Sequence, residues 1–264
     1  MIESRRLEKI VVCALAVLLA PAAVCANPSP DRLIGKVVDR DSGVPIGGAT
    51  IEARDPQLAT APFAVTRSNR KGVYALSLPQ QSRILIVVDA GSNAYAAFHG
   101  ILDVAVALDF VKVVALSRLS ADESAWLQRV NDDRTAWHMR RVTMDEAALL
   151  AARRHARDMA LRGYLGHTDG AGLQPWERFS SLSGIGGDYE NVGRGENATF
   201  ADIENAFLAE GPPRQPGLCT HFTTLLDPKA VWAGLAVVPE GRTDSHAHSS
   251  RVNYFDQELI EYPY

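Results

Sequence analysis

Cysteine is scarce, with three in 264 residues. That is too few for a disulfide framework, and two of them, Cys13 and Cys25, fall within the first 26 residues. Positive charge is not in excess either. Lys and Arg total 27 against 31 Asp and Glu, a formal net charge of −4, so the strongly basic balance of a nucleic-acid-binding protein is missing. Several enzyme motifs are missing too. There is no His-Glu-x-x-His zinc-protease helix, no Gly-x-Ser-x-Gly elbow, no Walker loop and no glycine-rich dinucleotide fingerprint. Ser181-Leu182-Ser183-Gly184 lacks the leading glycine that a nucleophile elbow requires. The first apolar run breaks at Pro21, short of the roughly 20 residues needed to cross a bilayer.

Apolar residues make up 47% of the chain and charged residues 22%, enough to build a core, which excludes disorder over the whole length. The length suits one large or two modest domains, at roughly 100–200 residues each. The N-terminus has the form of a targeting segment. Arg5, Arg6 and Lys9 precede the apolar run Ile10–Ala20, and Val24-Cys25-Ala26 closes a small-residue stretch. This pattern predicts a secretory signal peptide over residues 1–26, cut after Ala26. The exported chain then keeps Cys219 alone, has no intramolecular disulfide and carries no transmembrane anchor.

The remaining chain changes period near Ser120. Ala49, Ile51 and Ala53 alternate with Thr50, Glu52 and Arg54, and Tyr74, Leu76 and Leu78 alternate in the same way. Arg83–Val88 and Val104–Leu116 are rich in Val, Ile and Leu. Turn chemistry separates these runs at Asp39–Gly43, Asn69–Gly72, Pro79 and Ala90-Gly91. Short strands at this spacing predict a small β-sandwich over residues 31–118. Beyond it the spacing is helical. Trp126, Val130 and Trp137 lie on one face. Thr143-Met144-Asp145-Glu146 has the form of a capping box ahead of a helix whose inner face is Ala148, Ala152, Ala156 and Met159. Gly163 is placed to end that helix, with His155 beside the buried face as a packed core residue. Pro175–Phe179 opens a further helix and Phe200–Glu210 forms another. Val231–Val238 and Arg251–Phe255 read as strands. Residues 120–260 are therefore expected to form a mixed α/β domain that folds without the sandwich.

Two resemblances refine this. Ile34–Asp39, Gly43-Val44-Pro45-Ile46, Gly48–Ile51 and Gly72-Val73-Tyr74 resemble the carboxypeptidase regulatory-like β-sandwich modules, which carry no catalytic residue and are structural or adhesive. In the second half, the motifs in order are Val130–Arg134, the Asp145–Ala160 helix, Gly166-His167-Thr168-Asp169-Gly170, Gly195-Glu196-Asn197, Phe207–Glu210, Gln215-Pro216-Gly217, His221-Phe222 and Gly234–Val237. Together they resemble the CAP superfamily, also called SCP domains. The resemblance implies an α/β/α three-layer sandwich with two histidines and two glutamates in a surface cleft. By motif these are His167, Glu196, Glu210 and His221. Phe207 stands where many members have Trp, and Glu190-Asn191 is a second Glu-Asn pair without the preceding glycine.

What the resemblance implies about chemistry follows. His167 and His221 would hold a divalent cation such as zinc, and the glutamates would orient the imidazoles. The function implied is a secreted, extracellular or periplasmic, non-enzymatic binding protein for a lipid, a cell-surface polymer or a protein. The alternatives are a metal-dependent hydrolase or peptidase with Glu196 as general base, and a structural surface protein. His246 and His248 read as part of a solvated polar loop, and Asn197-Ala198-Thr199 matches a glycosylation sequon.

Overall fold

The structure, a computed structural model, describes residues 32–56, 61–78, 83–91, 94–103, 110–183, 189–214, 219–240 and 252–261. The expected signal peptide of residues 1–26, the Gln215-Pro216-Gly217 motif and the His246/His248 loop lie outside these.

The first region is all β. Its strands are β1 (Arg32–Asp39), β2 (Thr50–Arg54), β3 (Ala64–Arg67), β4 (Val73–Ser77), β5 (Arg83–Asp89), β6 (Phe98–Asp103) and β7 (Phe110–Leu116). They form two sheets, ordered β4-β1-β7 and β3-β2-β5-β6. β1 and β7 run parallel, while the other pairs are antiparallel. The period-two residues face one another across a single core. Leu33, Val37, Leu76, Val114 and Leu116 come from the first sheet, and Ile51, Ala53, Ile84, Ile86 and Val88 from the second. This is how two half-polar sheets remove their apolar faces from water.

The second region has three layers. Its elements are α1 (Ala121–Ala136), β8 (Thr143–Met144), α2 (Glu146–Arg162), α3 (Pro175–Ser183), β9 (Tyr189–Glu196), α4 (Phe200–Ala209), α5 (His221–Leu225), β10 (Ala230–Pro239) and β11 (Val252–Glu261). The sheet order is β8-β10-β11-β9. Both faces of the sheet are covered, so β11 is buried at almost every position. Phe255 and Leu259 face the layer of α1, α4 and α5. Tyr254 and Ile260, on the opposite face, meet the layer of α2 and α3. α2 lies hard against β10. A Cβ at Gly234 would collide with the main chain of Ala148, so only glycine admits the helix at this depth.

The α2 cap departs from the expected capping box. Asp145, not Thr143, is the N-cap, and its carboxylate accepts from Ala148 N. Thr143 and Met144 pair instead with Trp232 and Ala233 of β10. Tertiary pairing took the two residues that local spacing gave to the cap. Gly163 ends α2 in the left-handed region, with φ 69°.

The two regions are joined by a built contact. Glu146, at the first turn of α2, accepts from Ser117 N (2.6 Å), Ser117 Oγ (2.7 Å) and Arg40 Nε (2.5 Å). The Asp145 carboxylate meets His99 Nδ1 at 2.7 Å, and the His99 ring stacks on Trp232. Ala97 exchanges main-chain bonds with Met144 and Glu146. Glu146→Ala strands the buried Ser117 amide, and a stability loss of about 1–3 kcal/mol is expected. Protease cleavage between Leu116 and Ser120 should accelerate with it. Thermal unfolding and timed digestion of the full chain check this, and an unchanged melting temperature would show that the contact supports neither region.

Candidate functional site

α2 and α3 bring a charged group to one face of the sheet. In β9 four consecutive residues, Glu190–Gly193, are buried, and successive side chains turn to opposite faces of the sheet. Glu190 turns toward α2 and α3, and Asn191 turns toward α4 and α5. Glu190 is buried, and both of its oxygens are engaged. Oε2 meets His167 Nδ1 at 2.6 Å, and Oε1 accepts from Arg178 Nη2 of α3. Arg178 also donates through Nη1 to the carbonyls of His167 and Leu173. A buried carboxylate is tolerable only with such partners. The hydrogen bond to Glu190 raises the His167 pKa, with burial opposing it. His167 sits four residues beyond the α2 stop, with its side chain about half exposed.

His155, on α2, is fully buried below this pair. Its Nε2 lies 2.8 Å from the carbonyl of Gly166, which ties the His167 loop back to the helix. Burial pushes its pKa down, against the pull of Glu190. It packs in the core, yet it also borders a charged cluster.

On the other face, His221 is the first residue of α5. Glu210, the C-cap of α4, accepts from its backbone N (3.0 Å) and meets its Nδ1 (2.5 Å). Phe207 lies flat against the imidazole, with ring centroids 4.5 Å apart at 14°. So Phe207, read as a departure from Trp, still supplies the aromatic wall. Asn191 bridges the halves by donating to the carbonyl of His221 (3.1 Å) and to Gln257 Oε1 (2.8 Å).

The expected tetrad therefore resolves into two pairs. His167 pairs with Glu190, and His221 with Glu210; they flank the first residues of β9. Glu196 is not beside them. It ends β9, exposed, opposite Val252, six residues past Glu190. At about 3.3 Å per residue that places it roughly 20 Å away. Asn197 follows in the left-handed region, and Thr199 caps α4. The missed residue is Glu190, and the helix start at Thr199 was the sequence signal that confines Glu196 to the strand's end. Cys219 is exposed, just ahead of α5; the His221 Nδ1 is taken by Glu210, not by the thiol.

In each pair the glutamate holds Nδ1–H, which fixes the tautomer and leaves the Nε2 lone pair as the acceptor. Among the described residues, one compact group of three ligand atoms suits a metal ion: His155, Glu190 and Asp256. No helix among the described residues is long and apolar enough to cross a membrane.

A three-layer α/β/α unit carrying paired histidines and glutamates defines the class. The CAP family model, Cysteine-rich secretory protein family, matches residues 127–255, and this region of the chain belongs to that family. No curated protein matches the chain. Among solved structures, an outer surface protein from Borrelia burgdorferi is similar, with 14% identity and a TM-score of 0.41, over 53% of this chain and 92% of its own. An extracellular SCP-domain protein from Bacillus anthracis is similar with 16% identity and a TM-score of 0.39, over 54% and 44%. A 5-hydroxyisourate hydrolase from Klebsiella pneumoniae matches with 15% identity and a TM-score of 0.28, over 34% and 92%.

Proposed function

We propose that the protein is exported and binds an extracellular ligand, a lipid, cell-surface polymer or protein, through the cleft beside β9. The sandwich, read as a carboxypeptidase regulatory-like module, serves as a docked spacer. One observation carries the reading: each cleft histidine has its Nδ1 anchored by a glutamate, so two Nε2 lone pairs are oriented without a further protein partner at those atoms. We assign to these donors one divalent cation such as zinc, held where His167 from the α2–α3 face and His221 from the α4–α5 face would meet past β9, the edge strand of the sheet, with Glu190 and Glu210 as outer carboxylates. Binding is favoured over hydrolysis because Glu196, the expected base, lies at the far end of the strand, roughly 20 Å from Glu190.

The test is zinc titration of residues 27–264 by calorimetry. His221→Ala should remove one equivalent with the far-ultraviolet circular dichroism unchanged. A metal needs the neutral imidazole. Glu190 holds the His167 pKa above its ordinary 6.5, so affinity should begin to weaken above pH 6.5 as pH falls. An equivalent that survives His221→Ala with unchanged affinity, and no other lost, would overturn the cleft metal.

A further inference from the structure

Below the cleft, on the α2 face of the sheet, lies a group the paired histidines do not account for. Val192 and Glu190 of β9 stand opposite Asp256 and Glu258 of β11. Glu190, Asp256 and Glu258 are all buried, the last two fully. Arg178 meets this row on Glu190 and, at 3.9 Å, on Glu258. His155 closes the group from α2, with Nε2 3.7 Å from Glu190 Oε1. One ligand atom from each of His155, Glu190 and Asp256 lies within 4.8 Å of the others.

Two further observations point to an occupant. The first is the Nδ1 of His155, which is buried and has no hydrogen-bond partner among the described residues. Nε2 donates to the Gly166 carbonyl in the neutral ring, so Nδ1 carries a lone pair that no described residue uses. A buried polar atom without a partner is uncommon and costs free energy. The second is access. A cavity of about 250 Å³ runs between α2, the Asp169–Leu173 loop and α3, and His155 and Arg178 form part of its lining. Asp158, paired with Arg162, and Asp169 stand at its wall beside Arg154 and Arg178, so the route is polar and of mixed charge.

We propose that His155, Glu190 and Asp256 form a second, buried divalent-cation site, separate from the cleft histidines and reached through the α2–α3 cavity. One imidazole and two carboxylates are the mixed nitrogen and oxygen donors that suit zinc or manganese rather than calcium or magnesium. Two carboxylates match the charge of a dication, and Glu258 with Arg178 then forms a neutral pair beside it. Glu190 keeps Arg178 on Oε1 and His167 on Oε2 and still has lone pairs to offer, since a carboxylate presents about four acceptor sites. The site thus shares one carboxylate with the cleft, and filling it would fix the orientation of the group that holds His167.

The experiment uses residues 27–264 and zinc or manganese alone. In the His221→Ala background, which removes the cleft equivalent, one equivalent should remain. Asp256→Asn, which keeps the shape of the side chain, should lower its affinity by more than the about 10–100-fold that losing an outer partner costs. His155→Gln should do the same while leaving an equivalent at the cleft of the wild type. X-ray absorption on the zinc-loaded His221→Ala protein reads the donors without relying on either variant folding. One imidazole among oxygen donors supports the site. No equivalent retained by His221→Ala, or a retained ion with two or more imidazoles or none, overturns it, and in neither case is the cleft reading affected.

Discussion

Arg134→Met is expected to lower the unfolding free energy by about 2–4 kcal/mol. Arg134 is fully buried near the end of α1, and its guanidinium donates to four carbonyls: Arg140, Leu225, Asp227 and Ala230. Burial lowers its pKa, with the charge of Asp227 opposing, and among the described residues no carboxylate touches it. Its hydrogen bonds all go to main-chain oxygens. Three of these come from the end of α5, the turn after it and the start of β10, and Arg140 from the stretch between α1 and β8, so a single side chain clamps the segment that presents His221. Methionine fills the space and leaves the four acceptors without a donor. Arg134→Lys should recover only part of the loss, because an ammonium has three donors and lacks the planar fork. Urea unfolding of the full chain measures both. A loss below about 1 kcal/mol for the methionine variant would show that water replaces the guanidinium.

Glu204→Gln is expected to remove a pH dependence of stability. Glu204 of α4 is fully buried, and one oxygen accepts from Trp126 Nε1 (2.9 Å) and Gln257 Nε2 (3.1 Å). Burial pushes its pKa from 4.5 up to about 7. Between those values the folded chain holds a proton that the unfolded chain has released. The stabilisation from this group is therefore complete below about pH 4.5 and is lost as pH rises through about 7. An amide keeps the accepting oxygen and never ionises. Above pH 7 the variant should be more stable than wild type by about 1–3 kcal/mol, and the two should converge toward pH 5. Melting temperatures across pH 4.5–8.5 decide it; parallel profiles would mean that Glu204 stays ionised in the fold.

The elements with strong local signals were readable in the sequence. The helix ended by Gly163, the helix opened by Pro175 and the strand from Ala230 to Pro239 needed only period and punctuation. β9 carried no such signal. Tyr189–Glu196 holds two glycines, and its buried positions include Glu190 and Asn191, which no apolar alternation marks. What buries those residues lies outside any strand window: Arg178, 12 residues before Glu190, and Gln257, 66 residues after Asn191. Hence the choice between Glu190 and Glu196 turned on a neighbouring glycine, and that glycine belongs to the strand's exposed end. The cap of α2 failed for the same kind of reason. Trp232 and Ala233 recruit Thr143 and Met144 from about 90 residues away, a partner that no local window contains. His221 and Glu210 were singled out by motif order, and the structure pairs them across 11 residues, with Phe207 stacked on the imidazole.

α2 is a rod of 17 residues, about 25 Å long. The sandwich grips its first turn through His99 and Ser117. Its first joint is Gly163, four residues short of His167, and His155 stiffens that joint by holding Gly166. Tension applied to the sandwich therefore travels the length of one helix and arrives at the cleft with little slack. If the sandwich is the end that anchors the protein to a surface and the proposed cleft holds a partner, load on the anchor is load on the His167 loop, and the grip becomes a function of pulling force.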